Sequence, residues 1–154
     1  MGIVDLQSIQ LDAGKLDGGI WWQLSISDGQ LVGNQVEQPG ADVPAILLVP
    51  MGTAYERRLE REREPHLTKM RDQDLPSDQL EQLNLSTAAK ALAHTVVRDW
   101  QNITFQGEAV GFSQAKAAEL MADRTFRNLL DFVLIKASQR SAALVQAEAE
   151  SAGN

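Results

Sequence analysis

The chain has 154 residues, of which 44% are hydrophobic and 23% charged, and its formal net charge is −7. These proportions are typical of a folded globular protein and argue against a wholly disordered or collagen-like chain. The absence of cysteine excludes a disulfide framework, a thiolate metal site and a cysteine nucleophile. No apolar run approaches the roughly 18 to 20 residues that span a bilayer, so we expect an unexported, soluble protein without a membrane segment.

The first third of the chain carries strand and turn signals. Apolar and polar side chains alternate over residues 20–26, and this period of two predicts a half-buried strand. Asp28-Gly29 follows, a dipeptide favoured in tight hairpin turns, and residues 30–32 can pair back across it. The apolar run at residues 45–49 lies between two prolines and predicts a further short strand. We therefore expect a small antiparallel β unit over residues 1–52.

The pattern then changes to that of helices. Thr53 is placed to cap a helix that Pro65 ends or kinks. A polar connection over residues 71–84 follows. Ser86 is placed to cap an amphipathic helix whose apolar residues recur at spacings of three and four as far as Trp100.

The last third alternates between a hairpin signal and helical signals. Residues 103–112 break the helical pattern around a central glycine and predict a small hairpin. Ser113 is placed to cap a short alanine-rich helix that ends near Ala122. A last helix begins near residue 123 or 125 and runs to about Leu144.

Together these patterns predict an α+β fold. A small N-terminal antiparallel β unit, residues 1–52, packs on a mainly α-helical body, residues 53–145, in one compact domain. Residues 146–154 have no apolar stripe, and we expect them to form a disordered tail.

The sequence contains no convincing catalytic, cofactor-binding or metal-binding constellation. Its two histidines, His66 and His94, have no second histidine or carboxylate at metal-ligand spacing. The aspartates are explained by helix caps and solvated faces, and the glycines do not form a phosphate-binding loop. We therefore expect a protein that is not an enzyme and that has no cofactor.

A run of arginines at residues 57–63 suggests nucleic-acid binding at first sight. Glutamates interleave this run one for one, so that Arg58 and Glu62 can pair four residues apart on a helix. With an acidic chain and a neutral segment, we expect no nucleic-acid partner.

The last helix is apolar over much of its circumference. Phe132 and Ile135 lie outside its main apolar face, and Trp21 alternates away from the buried side of the first strand. One interpretation is a central helix that is covered by its own domain. The other is that Trp21, Phe132 and Ile135 bind a second subunit or another protein.

Several segments together resemble bacteriophage proteins of the siphophage tail assembly chaperone type. The resemblance depends on the order of weak motifs rather than on any one of them, and it covers about two thirds of the chain. The segments are Gly18-Gly19-Ile20-Trp21-Trp22, the run from Ile46 to Leu59, Val97-Arg98-Asp99-Trp100-Gln101-Asn102-Ile103, Gly107 to Ser113 and Phe126 to Val133.

The resemblance implies a non-enzymatic protein that acts in the host bacterial cytoplasm during phage tail assembly. Such chaperones bind the tape measure protein, keep it soluble, help to recruit tail tube subunits and are not retained in the mature virion. A homo-oligomer is compatible with this role. The alternative is a structural tail or head–tail component of a phage or prophage particle.

Overall fold

The computed structural model describes residues 2–72 and 75–145, and it confirms the α+β class. The predicted tail, residues 146–154, lies outside the described residues. The strands are β1 (Ile20–Ser27), β2 (Gln30–Val36), β3 (Ala45–Leu48), β4 (Val97–Gln101), β5 (Thr104–Phe105) and β6 (Glu108–Ala109). The α-helices are α1 (Ala13–Gly18), α2 (Thr53–Arg63), α3 (Leu67–Asp72), α4 (Ser77–Thr95), α5 (Gln114–Ala122) and α6 (Arg127–Ser138).

Four strands form one antiparallel sheet in the order β2-β1-β3-β4. The predicted hairpin at Asp28-Gly29 is confirmed: both residues have positive φ, 52° and 75°, as a tight turn between twisted strands requires. The alternation of β1 is confirmed as well, because Ile20, Trp22 and Leu24 are buried. Their side chains form the inner face of the sheet, against which the helices pack.

Strand β4 corrects the predicted β unit, which is not confined to residues 1–52. Residues 97–101 were predicted to end a helix, but they pair with β3. Leu48 pairs with Val97 and Leu47 with Asp99, so Arg98 is an extra, bulged residue between them. The bulge brings two residues three apart, Val97 and Trp100, to the buried side, and this spacing imitates a helical period.

Helix α4 is the central helix of the body, and it begins at Ser77 rather than at the predicted Ser86. It packs between α2 and α5. Three of its buried residues are the alanines Ala89, Ala91 and Ala93, whose small side chains allow neighbouring helices to approach closely.

Side-chain capping differs between α5 and α2. Ser113 caps α5 as predicted, and its side chain accepts a hydrogen bond from the amide of Lys116 at 3.0 Å. The predicted cap of α2 at Thr53 is wrong: Gly52 is the N-cap residue, no side chain caps the helix, and Thr53 is its first residue. The helix ends before Pro65, where a 3₁₀ turn, Glu64–His66, follows. The predicted pair on α2 is present, with 2.8 Å between the Arg58 guanidinium and the Glu62 carboxylate.

The sequence did not indicate the short helices near the N-terminus. Leu6–Ile9 forms a 3₁₀ turn, and the Asp12 carboxylate caps α1 through the amides of Gly14 and Lys15. Between them, Leu11 forms an isolated antiparallel bridge with Leu144, just after a closing 3₁₀ turn, Arg140–Ala143. Because the chain leaves the helix and forms this separate 3₁₀ turn, helix α6 ends at Ser138, earlier than the predicted Leu144.

The contact between β2 and α6 depends on a glycine. A Cβ atom at Gly33 would lie 2.8 Å from the carbonyl oxygen of Gln23 and 2.9 Å from Cζ of Phe132. The Phe132 ring therefore rests directly on the backbone of β2.

We expect Gly33→Ala to lower the free energy of unfolding by about 1–3 kcal/mol, because a methyl group there overpacks the contact between strand and helix. The matched control is Gly18→Ala, since nothing lies within 4 Å of a Cβ atom at Gly18. Urea denaturation of the two variants measures the difference. Equal stability of the two variants would contradict the packing described.

Candidate functional site

An open apolar groove of about 500 Å³ lies at one end of the inner face of the sheet. The sheet forms one wall, the β5–β6 hairpin a second, and the segment joining α5 to α6 a third. We call this site the apolar groove. Its lining residues are Leu24, Ser25, Ile26, Leu31, Pro44, Ile46, Trp100, Asn102, Ile103, Thr104, Phe105, Val110, Leu120, Phe126 and Leu129.

The β1–β2 hairpin forms the sheet wall because its tip extends past the core. Ile26 and Leu31 are paired across the two strands and belong to the inner face. Ile26 is nevertheless 77% exposed, since the helices do not cover this end of the sheet. Asn128 of α6 donates a hydrogen bond to the carbonyl oxygen of Gly29 at 3.0 Å and holds the hairpin tip in place.

The β5–β6 hairpin forms the second wall and is fastened to the core by an indole. Its turn residues, Gln106 and Gly107, both have positive φ, 52° and 84°. Trp100 Nε1 donates a hydrogen bond to the carbonyl oxygen of Val110 at 2.7 Å. The Trp100 ring also packs edge-on against Phe112, with ring centroids 5.1 Å apart.

Aromatic rings close the groove where the hairpin meets the helices. Phe105 of β5 and Phe126, at the end of the 3₁₀ turn Arg124–Phe126, pack edge-on with centroids 5.4 Å apart. Asp123 caps this turn: hydrogen bonds from the hydroxyl and then the amide of Thr125 hold the pKa of the Asp123 carboxyl below its ordinary value. Phe105 remains 51% exposed at the rim.

The chemistry available in the groove is that of apolar burial. None of the described residues that line it has an ionisable side chain. Among the described residues, Tyr55 on α2 also has a shifted pKa, and it lies outside the groove. Burial raises the pKa of its hydroxyl, and the charge of Arg63 partly offsets this. In residues 2–72 and 75–145, no three histidine, aspartate or glutamate side chains are grouped to hold a metal ion, and no helix has the length and apolarity to cross a membrane.

Trp21 lies on the outer face of the sheet, opposite the apolar groove. It is half-buried and sits between Val36 of β2 and Leu47 of β3 in the strand register. These three side chains form an apolar row across the outer face. Phe132 contacts the inner face at Gly33, so Trp21 and Phe132 do not belong to one surface.

The two predicted binding residues of the last helix, Phe132 and Ile135, differ in their exposure to solvent. Phe132 is only 5% exposed and belongs to the core, so its prediction as a binding residue is corrected. Its ring lies on β2, and the Lys136 ammonium is 5.1 Å from the centroid of Trp22 and 5.9 Å from that of Phe132. Ile135 is 55% exposed, and its role as a binding residue stays a prediction.

Sequence reasoning missed the groove itself. Ile26 had the signal of a buried strand position, because the alternation of β1 continues to its end. Phe105 belonged to a predicted hairpin, but nothing in its local sequence indicated an exposed aromatic ring. Exposure at both positions depends on where the helices stop, which is a property of the tertiary structure.

We expect Phe132→Ala to lower the free energy of unfolding by about 3–5 kcal/mol, as for other buried aromatic residues. Ile135→Ala serves as the matched control on the same helix, with an expected change within about 0.5 kcal/mol. Chemical denaturation measures both. A small effect at Phe132 would contradict its assignment to the core.

We expect Thr125→Val to raise the pKa of Asp123 towards its ordinary value, because the hydroxyl hydrogen bond to the carboxylate is lost. The folded-state pKa of Asp123 is depressed, so its cap stabilises the fold above the unfolded-state pKa. That contribution is lost as the pH falls through the folded-state pKa. Carboxyl NMR titration measures the shift, and an unchanged pKa in the variant would contradict the cap.

Comparison with known proteins identifies one family. A family model described as the YdaY prophage protein matches residues 51–154. Comparisons with curated proteins and with solved structures find no match. The matched segment is well over half of the chain and contains β4, the β5–β6 hairpin, α5 and α6. The chain therefore belongs to the YdaY prophage protein family and is a phage or prophage protein.

Proposed function

We propose that this prophage protein is a non-enzymatic tail assembly chaperone or adaptor. It binds the tape measure protein and helps to recruit tail tube subunits during tail morphogenesis. It acts in the host cytoplasm and leaves the particle before the virion is mature. Membership of a prophage family and the ordered motifs that resemble siphophage tail assembly chaperones both support this function.

The apolar groove is the observation that carries the proposal. Two of its rim residues, Ile26 and Phe105, expose large apolar side chains beside an opening that continues into the core. An open apolar surface of this kind typically serves a binding partner. Because the described lining has no ionisable group, the groove is suited to binding rather than to acid–base catalysis.

The groove fits the apolar face of an amphipathic helix. Such a helix presents anchors at positions i, i+3 or i+4, and i+7, and long helical proteins expose many of these faces. Covering them removes apolar surface from water, and the net charge of −7 keeps the complex soluble. Ile135, exposed on α6, offers a second contact outside the groove.

The alternative is a structural tail or head–tail component. The prophage family is equally compatible with it. Its distinguishing consequence is that the protein is present in purified particles in a fixed copy number, whereas a chaperone is absent from them.

The test is co-expression with the longest helical protein encoded in the same phage or prophage region, followed by affinity capture and light scattering. We expect the long protein to be insoluble alone and soluble in complex with this chain. Ile26→Asp and Phe105→Asp each place a charge in the groove, and we expect either to weaken capture at least about tenfold.

Leu67→Asp is the matched control, since Leu67 is exposed on α3 and lies outside the groove. It should leave capture unchanged. Capture that is insensitive to both groove variants would contradict the groove as the binding site. No capture, combined with recovery of the chain from purified particles, would favour the structural alternative.

A further inference from the structure

A second cavity, of about 490 Å³, lies between helices α2, α4 and α6. Its volume is within the range of roughly 300–1,000 Å³ in which proteins bind small molecules. None of its described lining residues belongs to the apolar groove. We call it the arginine cavity, because Arg63 of α2 and Arg127 of α6 both line it.

Arg63 is half-buried at the C-terminal end of α2. Its Nε atom is buried and, within residues 2–72 and 75–145, has no hydrogen-bond partner. The ion pairs of α2 and α6 in these residues join Arg58 to Glu62 and Arg127 to Asp131, and neither includes Arg63. A guanidinium stays charged in proteins, and a charge that is shielded from water without a counter-charge is costly. Arg63 therefore favours the entry of an anion into the cavity.

The other charged residues of the lining limit the charge of that anion. Arg127 is 53% exposed, and its Nε lies 2.9 Å from Oδ1 of Asp131, which offsets much of its charge. Glu81 of α4 is exposed and adds a negative charge to the lining. A head group with one negative charge is therefore favoured over a phosphate dianion, which Glu81 would repel more strongly.

Leucines form the apolar part of the lining. Leu85 and Leu130 are buried, and Leu80 and Leu134 are half-buried. An inorganic anion on Arg63 would leave these side chains as they are. An aliphatic chain attached to the anion would also bury apolar surface against the leucines, so the lining matches an amphiphile better than a bare ion.

We propose that the arginine cavity binds a fatty carboxylate, an aliphatic chain that ends in one carboxylate group. The carboxylate pairs with the Arg63 guanidinium, whose planar shape suits two parallel hydrogen bonds. The chain lies against Leu80 and Leu134. The proposal does not depend on the proposed function, because the cavity and the apolar groove are separate sites.

The test is isothermal titration calorimetry of the full chain with decanoate, at concentrations below those at which it forms micelles. We expect one decanoate to bind per chain. From hexanoate to decanoate, each added methylene should increase the affinity about fourfold, because it buries more apolar surface. Decyltrimethylammonium has the same chain and the opposite charge, and we expect it to bind at least about tenfold more weakly than decanoate.

Three variants identify the charges that act on the ligand. Arg63→Gln should weaken decanoate binding at least about tenfold, because it removes the counter-charge. Glu81→Gln should strengthen binding, because it removes a like charge, and it keeps the test decisive if Arg63→Gln does not fold. Arg61→Gln is the matched control, since Arg61 is exposed on the same helix and does not line the cavity. It should leave the affinity unchanged.

Absence of decanoate binding overturns the proposal, and so does equal affinity for the two amphiphiles. The apolar groove is the competing site for an aliphatic chain. Binding that is lost in Ile26→Asp and retained in Arg63→Gln assigns decanoate to the groove and overturns the proposal. Binding that Ile26→Asp leaves intact and Arg63→Gln weakens supports the arginine cavity. Circular dichroism verifies the fold of each variant.

Discussion

The pairing of β4 with β3 is the constraint on which the rest of the structure depends. It joins two strands that are separated in sequence by α2, α3 and α4, and so fastens the helical body to the edge of the sheet. The same pairing fixes Trp100 opposite Ile46. The indole of Trp100 then holds the β5–β6 hairpin through Val110, and this hairpin is a wall of the apolar groove.

Local sequence patterns predicted the elements that depend on interactions between residues close together in the sequence. The alternation of β1, the Asp28-Gly29 turn and the Ser113 cap all appear where the sequence placed them, since each depends on near neighbours. The fourth strand could not be predicted in this way. A bulge at Arg98 places Val97 and Trp100 on one side, and a spacing of three then has the same appearance as a helix.

The candidate site was less predictable than the fold, because exposure is decided by packing at a distance. Phe132 and Ile135 are three residues apart on α6 and looked equivalent in the sequence. Gly33 leaves room for the Phe132 ring on β2, whereas no such space receives Ile135. The groove gathers residues from the sheet, the hairpin and two helices, and none of these segments is unusual alone.

The matched family segment and the residues before it contribute different walls of the groove. Residues 51–154 supply Trp100, the β5–β6 hairpin and the helical wall. The preceding strands supply Leu24, Ile26 and Ile46, and they provide the hydrogen-bonded neighbour that β4 requires. Of the four strands in the sheet, the matched family segment contains β4 alone. In this chain the core of that segment is therefore complete only when β1 and β3 are present. Substitutions in β1 and β2 can therefore alter what the groove accepts while the hairpin and helical wall stay unchanged.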